Sequence, residues 1–334
     1  MARHFMQGQW LRERYSGWLA ANYSRAEIVV RSTDVDRTLM SAQSQLAGLF
    51  PPSGSQVFDP SLPWQPIPVH TVPQEQDYLL SSHAHCPRFE ELQAAIETGE
   101  FMRGLYIENK ELFQYISEHV GENITDIVKL DYVYDTLLIE SENNFTLPAW
   151  TRSVFPGQQF KQLRDLSFTV DTLTQELKRL KGGPLVKEML SHWDQLQAGT
   201  LDPEMKVFMY SGHDTTVAPL LHTLGVFNTI APPYASLVLV ELLDRGAGPL
   251  VKVSYRRVAC NLYYPDLKAV NCRNDSSLPP FPLTLPGCDH LCPLEQFRQL
   301  TRPIGHQSVM SQAQSQPARA SDWLVGSWLV LSVS

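Results

Sequence analysis

The sequence has little positive charge for its length. Its 27 Lys and Arg residues face 35 Asp and Glu residues, which leaves a net charge of −8. Proteins whose main partner is nucleic acid carry basic stripes that neutralise phosphates, and no such stripe occurs here. We therefore expect no nucleic-acid partner, and an anionic small-molecule substrate would need a local basic pocket.

Several signatures of catalysis are also absent. The sequence contains no G-x-S-x-G, no P-loop and no G-x-G-x-x-G, so serine-hydrolase and nucleotide-loop functions lose support. His83, His85 and Cys86 stand close together in "SHAHCP", but no companion ligands are evident nearby. We expect no metal and no cofactor, and we keep a metal-dependent hydrolase based on His83 and His85 as a distant alternative.

Long apolar runs are missing at both ends. The start, "MARHFMQGQW", has no apolar core of signal-peptide length. The end is apolar from Trp323 onward, but its 12 residues are fewer than the ~20 that span a bilayer. We interpret this end either as a clipped membrane anchor or as a disordered or processed tail.

Cysteines are few, and their spacing suggests one disulfide. Cys288 and Cys292 lie in "LPGCDHLCPL", between turn-forming prolines. A lone C-x3-C lacks the second ligand pair of a structural zinc site, so a short-range disulfide is the better interpretation. The pairing of the other three cysteines, Cys86, Cys260 and Cys272, stays open.

Four N-x-S/T sequons are candidate glycosylation sites, and together with the cysteine pair they favour a secreted or lumenal protein. They lie at Asn22, Asn123, Asn144 and Asn274.

The order of apolar patterns predicts an α/β protein. "AEIVV" predicts a strand at 26–30, and "MKVFMYSG", "SLVLVELL" and "LVKVSYRRV" predict three more. The stretch between them is mostly helical, and its best helical period covers 160–180. We expect a core made of 1–76 and 196–304, a helical cap of 77–195, and a divergent tail at 305–334 with a short apolar end.

Charged residues follow two of the predicted strands. Arg31 ends the first strand, and His213-Asp214 stands between a strand and a helix start, at the edge where open α/β sheets bind ligands. An arginine fork and a helix N-terminus both favour an oxyanion, and a carboxylic acid can protonate a leaving oxygen. Together they suit hydrolysis of a phosphate ester.

Each of these residues also has a structural explanation. Asp214 could serve only as a helix N-cap, and His213 could be a buried histidine with satisfied hydrogen bonds. Arg31 could pair on the surface with Asp34 or Asp36.

Several long strings show a family resemblance. "VVRSTDVDRTLMSAQSQLAGLFPP", "WQPIPVHTVP", "YSGHDTT", "PPYAS" and "LPGCDHLCPLEQF" resemble the histidine acid phosphatases, closest to the prostatic, lysosomal and testicular group. The resemblance runs from near residue 5 to about residue 303. It implies a phosphoglycerate-mutase-like core sheet with helices on both faces and a smaller helical cap. It also implies a homodimer in the secretory pathway, whether lysosomal, membrane-bound or secreted.

The resemblance implies hydrolysis of phosphate monoesters through a phosphohistidine, without a metal. It assigns Arg31 and His213 to phosphate binding and Asp214 to proton donation toward the leaving alcohol. The family's nucleophile lies in an Arg-His-Gly-x-Arg-x-Pro signature on the first strand, and this string does not occur in the sequence. Arg3-His4 is followed by Phe5-Met6 and does not match it.

From this departure we expect no nucleophile in this chain and a core sheet that lacks its first central strand. The alternative function is therefore a catalytically inactive truncated isoform that binds phosphate or partners without turnover. The cysteines depart too: Ile139 and Leu237 stand where the family has a long-range pair, and the family's partner for Cys86 is absent.

Overall fold

The computed structural model describes residues 1–246, 248–257, 279–304 and 328–333, with only the backbone described in the last range. Within these ranges the chain forms eleven α-helices and three short 3-10 turns. The helices are α1 Ala2–Arg14, α2 Asp36–Leu49, α3 Pro87–Glu97, α4 Glu100–Glu108, α5 Lys110–Val120, α6 Ile127–Glu142, α7 Gln158–Val170, α8 Gln175–Lys181, α9 Gly183–Gln197, α10 Asp214–Thr223 and α11 Leu294–Thr301.

One mixed sheet holds the seven strands of the described residues, in the order β1-β2-β7-β3-β4-β5, with β6 paired to β4. The strands are β1 Ile28–Ser32, β2 Val207–Gly212, β3 Leu237–Asp244, β4 Pro249–Arg256, β5 Phe281–Leu283, β6 Cys292–Pro293 and β7 Trp328–Val333. β1, β2 and β7 run parallel, and the remaining pairings are antiparallel.

Alternate side chains of β2 enter two different apolar cores. Val207 and Met209 pack with residues of α1 and α2 on one face. Phe208 and Tyr210 pack with residues of α9, α10 and α11 on the other. This alternation is what a strand covered on both faces requires. The predicted α/β fold with helices on both faces of the sheet is confirmed.

α1 and α2 approach each other at a pair of glycines. A Cβ on Gly8 would lie 2.0 Å from the carbonyl oxygen of Gln45, and one on Gly48 would lie 2.1 Å from that of Phe5. Glycine therefore permits a backbone-to-backbone contact that no other residue allows at these positions.

The helices between the core segments have an apolar cluster of their own. Its members come from α4 to α7 and from the segments between these helices, and they include Met102, Ile116, Leu130, Tyr134 and Phe160. The single helix predicted for 160–180 is wrong in one respect, because α7 ends at Val170 and α8 begins at Gln175. The side chain of Thr174 accepts a hydrogen bond from the backbone N–H of Leu177 and so caps the second helix.

The apolar end of the chain contributes a strand to the sheet, which neither interpretation made from the sequence includes. Residues 328–333 form β7, which lies between β2 and β3 in the sheet. The described sheet therefore has no gap between these two strands, and the strand between them comes from the C-terminal end of the sequence rather than from a strand before β1. No helix in the described part of the chain is long and apolar enough to cross a membrane.

Some predictions fall outside the described residues. They concern Asn274, Cys260, Cys272 and most of the tail at 305–334.

Candidate active site

Two parallel strands bring the predicted residues to one edge of the sheet. Arg31 lies opposite Tyr210 in the register of β1 and β2, and the backbone N–H of Thr33 donates to the carbonyl of Ser211 at 3.1 Å. β2 then ends at Gly212, and His213 is the N-cap of α10. The segment after β1 and the start of α10 are thus neighbours.

Arg31 is held by a carboxylate that the sequence did not point to. Its guanidinium pairs with the buried Asp77, whose Oδ1 also accepts from the backbone N–H groups of Leu79 at 3.2 Å and Leu80 at 3.1 Å. The surface pairing of Arg31 with Asp34 or Asp36 is not what the structure shows. Nε of Arg31 is buried without a hydrogen-bond partner among the described residues, so the cation keeps donor capacity.

His213 is buried and has a partner at each ring nitrogen. Nε2 lies 3.0 Å from Oγ1 of Thr33, and Nδ1 lies 3.1 Å from Nη2 of Arg37. Burial, helped by the nearby Arg37 and His83, lowers the pKa of His213 to about 4. The imidazole is therefore neutral at mildly acid pH.

Asp214 is the first residue of α10 and follows the N-cap rather than serving as it. Its Oδ1 accepts from the backbone N–H of Thr215 at 2.8 Å. Desolvation raises the pKa of Asp214 to about 6, and Asp135 adds to the rise, while the Thr215 bond, Arg164 and Arg37 oppose it. Such a carboxyl keeps a proton at mildly acid pH and can donate it.

A partly buried network of residues from α6, α7 and the segment before β3 lies near this carboxyl, and sequence reasoning missed it. Nε of Arg164 lies 3.3 Å from Oδ1 of Asp131. The hydroxyl of Tyr234 donates to Oδ2 of Asp135 at 2.6 Å. Desolvation raises the pKa of Asp131 to about 7, against the opposing effect of Arg164. The spacing of Asp131 and Asp135 by four residues places both on one helix face, which is the only sequence signal that could have found them.

The candidate metal ligands lie at the start of α3 and in the segment before it. His83 and His85 are exposed, and Nδ1 of His85 pairs with Oε1 of Glu90 at 2.8 Å. No group of three or more His, Cys, Asp and Glu side chains within the described ranges is arranged to hold a metal ion. His4 is buried in α1.

The disulfide between Cys288 and Cys292 is present. Cys86 forms no disulfide in the described part of the chain. Of the sequon residues, Asn123 and Asn144 are exposed, and Asn22 is partly exposed and accepts a hydrogen bond from Ser53. Glycosylation at these positions stays a prediction.

Comparison with known proteins gives a consistent assignment. A family model described as "Histidine phosphatase superfamily (branch 2)" matches residues 1–256. Prostatic acid phosphatase of Bos taurus is 39% identical over 308 residues, which cover 91% of this chain and 75% of that protein. Lysosomal acid phosphatase of Rattus norvegicus is 39% identical over 309 residues, covering 91% and 68% respectively.

A solved structure has a similar fold. The apo form of Hafnia alvei phytase superposes with a TM-score of 0.61 at 18% identity, covering 91% of this chain and 86% of that one. At this identity the likeness concerns the fold alone. The family model and the two acid phosphatases carry the assignment: the chain belongs to the histidine phosphatase superfamily, branch 2.

Proposed function

We propose that this chain binds the phosphate group of a monoester at the edge formed by β1 and β2 and hydrolyses it as an acid phosphatase. The observation that carries the proposal is the placement of Arg31 and of the pair His213-Asp214 at the ends of two neighbouring parallel strands, with an Asp214 carboxyl that holds a proton at mildly acid pH. Relatives that are 39% identical over 91% of the chain are named acid phosphatases, which supports the same activity.

The proposed roles follow from the chemistry of each side chain. Arg31 offers a charged fork to phosphate oxygens, and the pair with Asp77 holds it in place. His213 is the proposed partner of a further phosphate oxygen, which would take the place of one of its two present neighbours, Thr33 and Arg37. Asp214, at the helix start, gives its proton to the leaving alcohol oxygen as the P–O bond breaks.

The nucleophile is the open part of this proposal. Resemblance implies attack by a histidine and a phosphohistidine that water hydrolyses in a second step. The Arg-His-Gly-x-Arg-x-Pro signature that would hold this histidine does not occur in the 334 residues. That observation favours a second candidate function, namely phosphate binding without turnover.

The pKa of Asp214 fixes the expected pH dependence. Its donor form is populated below about pH 6 and disappears as the pH rises through that value. Activity should therefore fall as the pH rises, with an apparent pKa close to the pKa of about 6 that Asp214 has in the protein without substrate.

Hydrolysis of an aryl phosphate between about pH 4 and 8 tests the proposal. Activity should exceed that of an Asp214→Asn variant at pH 5 and decline above pH 6. If the two proteins match at every pH, the chain is not an acid phosphatase acting through Asp214.

A binding assay separates the two candidate functions. A phosphate site should raise the unfolding temperature with increasing inorganic phosphate, because a ligand that binds only the native state stabilises it. Protection without turnover would support the binding function, and absence of protection would remove both.

We propose four further properties of this chain, each supported by less direct observations. The apolar cluster of α4 to α7 supports a cap at 77–195 on a core of 1–76 and 196–304. A disulfide and exposed sequons, with a lysosomal enzyme among the relatives, support a place in the secretory pathway. A homodimer and membrane attachment through the C-terminus stay predictions, which sedimentation and membrane flotation would test.

A further inference from the structure

A cavity of about 220 Å³ lies between the segment that precedes α3, the junction of α8 and α9, and the first two turns of α10. Its lining does not include Arg31, His213 or Asp214, the residues of the proposed phosphate site. Pockets for drug-sized ligands measure ~300–1,000 Å³, so this smaller cavity fits a molecule with few heavy atoms.

The walls of this cavity are mostly apolar. Leu80, Leu185 and Leu220 are buried wall residues that also belong to the apolar core on that face of the sheet. Phe89 of α3 adds an aromatic ring. Such walls disfavour a strongly hydrated molecule and favour one with an apolar body.

One cation lies in this apolar surrounding. Lys181, the last residue of α8, is the single charged side chain among the described residues that line the cavity. Its ammonium lies over the ring of Phe89, 5.1 Å from the ring centroid. Burial lowers the pKa of Lys181, while Asp171 and the thiol of Cys86 oppose the fall. The charge is thus partly removed from water.

The ammonium of Lys181 has hydrogen-bond donors that no described residue uses. A lysine offers three donors, and Nζ of Lys181 makes no hydrogen bond or ion pair with the described part of the chain. The carboxyl of Asp171 accepts instead from Nε2 of Gln93 at 2.7 Å, and burial raises its pKa. Because a partly desolvated cation without an acceptor is unfavourable, an anion in the cavity would stabilise it.

A second polar group lines the same cavity. Thr215 lies in the first turn of α10, and its hydroxyl makes no hydrogen bond to a described residue, whereas its backbone N–H donates to Asp214. One ammonium and one hydroxyl match a single carboxylate. A dianion would keep an uncompensated charge among apolar walls, which is costly.

We propose that this cavity binds a small monocarboxylate with an apolar body. The carboxylate pairs with Lys181, and the apolar body lies against Phe89 and the leucine side chains of the wall. The inference adds a ligand site to the chain and does not depend on the proposed phosphate site.

Benzoate is the probe, because at about pH 7 it is a monoanion with a compact apolar ring. Benzyl alcohol has a similar ring without the charge and is the neutral control. Calorimetry with the full chain should show saturable binding of benzoate. Benzyl alcohol should bind about tenfold more weakly or worse, because it cannot form the charge-assisted hydrogen bond.

Lys181→Met removes the charge and keeps a long apolar side chain. Its affinity for benzoate should fall about tenfold or more. Lys187→Met is the matched control, because Lys187 is an exposed lysine of α9 that does not line the cavity. This variant should bind benzoate as the parent does, and thermal unfolding without ligand checks that both variants are folded.

Cys86 can report where benzoate binds. It lines the cavity and forms no disulfide in the described part of the chain. Benzoate should slow the alkylation of Cys86 by iodoacetamide, measured by mass spectrometry of the peptide that contains it. Benzyl alcohol at the same concentration should protect Cys86 much less.

Three results would overturn the inference: no binding of benzoate, equal binding by the parent and Lys181→Met, or binding that leaves Cys86 unprotected. Displacement of benzoate by inorganic phosphate would place the probe in the phosphate site and would overturn it too. If Lys181→Met does not fold, benzyl alcohol and the protection of Cys86 in the parent still decide. None of these results bears on hydrolysis of an aryl phosphate, which tests the proposed function separately.

Discussion

Asp131 and Asp214 are two carboxyls whose pKa values rise to about 7 and about 6 because protein replaces water around them. A raised carboxyl pKa means that the folded protein holds more protons than the unfolded chain between pH 4 and 7. The stability linked to such a group is fully present below the unfolded pKa, near 3.8, and is lost as the pH rises through the folded pKa. Acid pH should therefore favour this fold around Asp131.

The substitution Asp131→Asn tests this reasoning. At pH 4 its free energy of unfolding should be close to that of the parent. At pH 8 it should exceed the parent by an amount on the order of 2 kcal/mol, since the parent then holds a desolvated charge. Urea unfolding at several pH values measures the difference.

The matched control is Asp202→Asn at an exposed carboxyl, which should show no such trend. A difference between Asp131→Asn and the parent that does not change with pH would contradict the raised pKa.

Sequence reasoning reached the residues at strand ends but not their partners. Arg31, His213 and Asp214 stand out because a charged residue after an apolar strand is visible in the sequence. Asp77 lies 46 residues from Arg31 and is brought to it by the path of the chain. Arg37 is part of a sequence stretch that carries the family resemblance. Its position in the sequence does not show that its guanidinium lies next to the ring of His213.

At the level of elements, the crossing of α1 and α2 gives a sharp prediction. Gly8→Ala places a Cβ 2.0 Å from a backbone carbonyl oxygen of α2, so the helices must separate. Such overpacking costs about 1–3 kcal/mol, and because the obstacle is backbone rather than a flexible side chain we expect the upper end. Thermal unfolding should show a clear fall in midpoint.

Gly104→Ala is the matched control for this change. Gly104 lies within α4, and a Cβ there meets nothing within 4 Å. Alanine at an open helical position is favoured over glycine by about 0.5–1 kcal/mol, so this variant should be slightly more stable than the parent. Equal effects of the two substitutions would show that the helix crossing is not tight.

Elements with a strong local pattern were predictable, and their breaks were less so. β2 and β3 are mostly apolar, as strands covered on both faces are, and α7 shows its helical period clearly. The separation of α7 from α8 depends on the N-cap at Thr174. This polar signal is hard to recognise in the sequence, because the helical spacing of apolar residues continues across it.

At the scale of the whole molecule, the sheet depends on a strand from the far end of the sequence. β7 pairs with β2 on one side, from Val207 opposite Trp328 to Gly212 opposite Val333, and with β3 on the other. A pairing across more than a hundred residues leaves no local signal, which is why a 12-residue apolar end read as an anchor or a tail.

The position of β7 predicts that a single proline in it should be far more harmful than one at a chain end usually is. Val330 pairs with Met209 of β2 and with Leu239 of β3, so it lies in the interior of the sheet. Proline removes the backbone donor and is found in sheets essentially only at edges and bulges. Val330→Pro should therefore lower the free energy of unfolding by about 3 kcal/mol or more, measured by urea unfolding. Val330→Thr keeps the backbone N–H and the branched side chain, so its loss should be clearly smaller. A Val330→Pro protein that unfolds at the same urea concentration as the parent would place residues 328–333 outside the sheet and leave β2 and β3 without the strand that joins them.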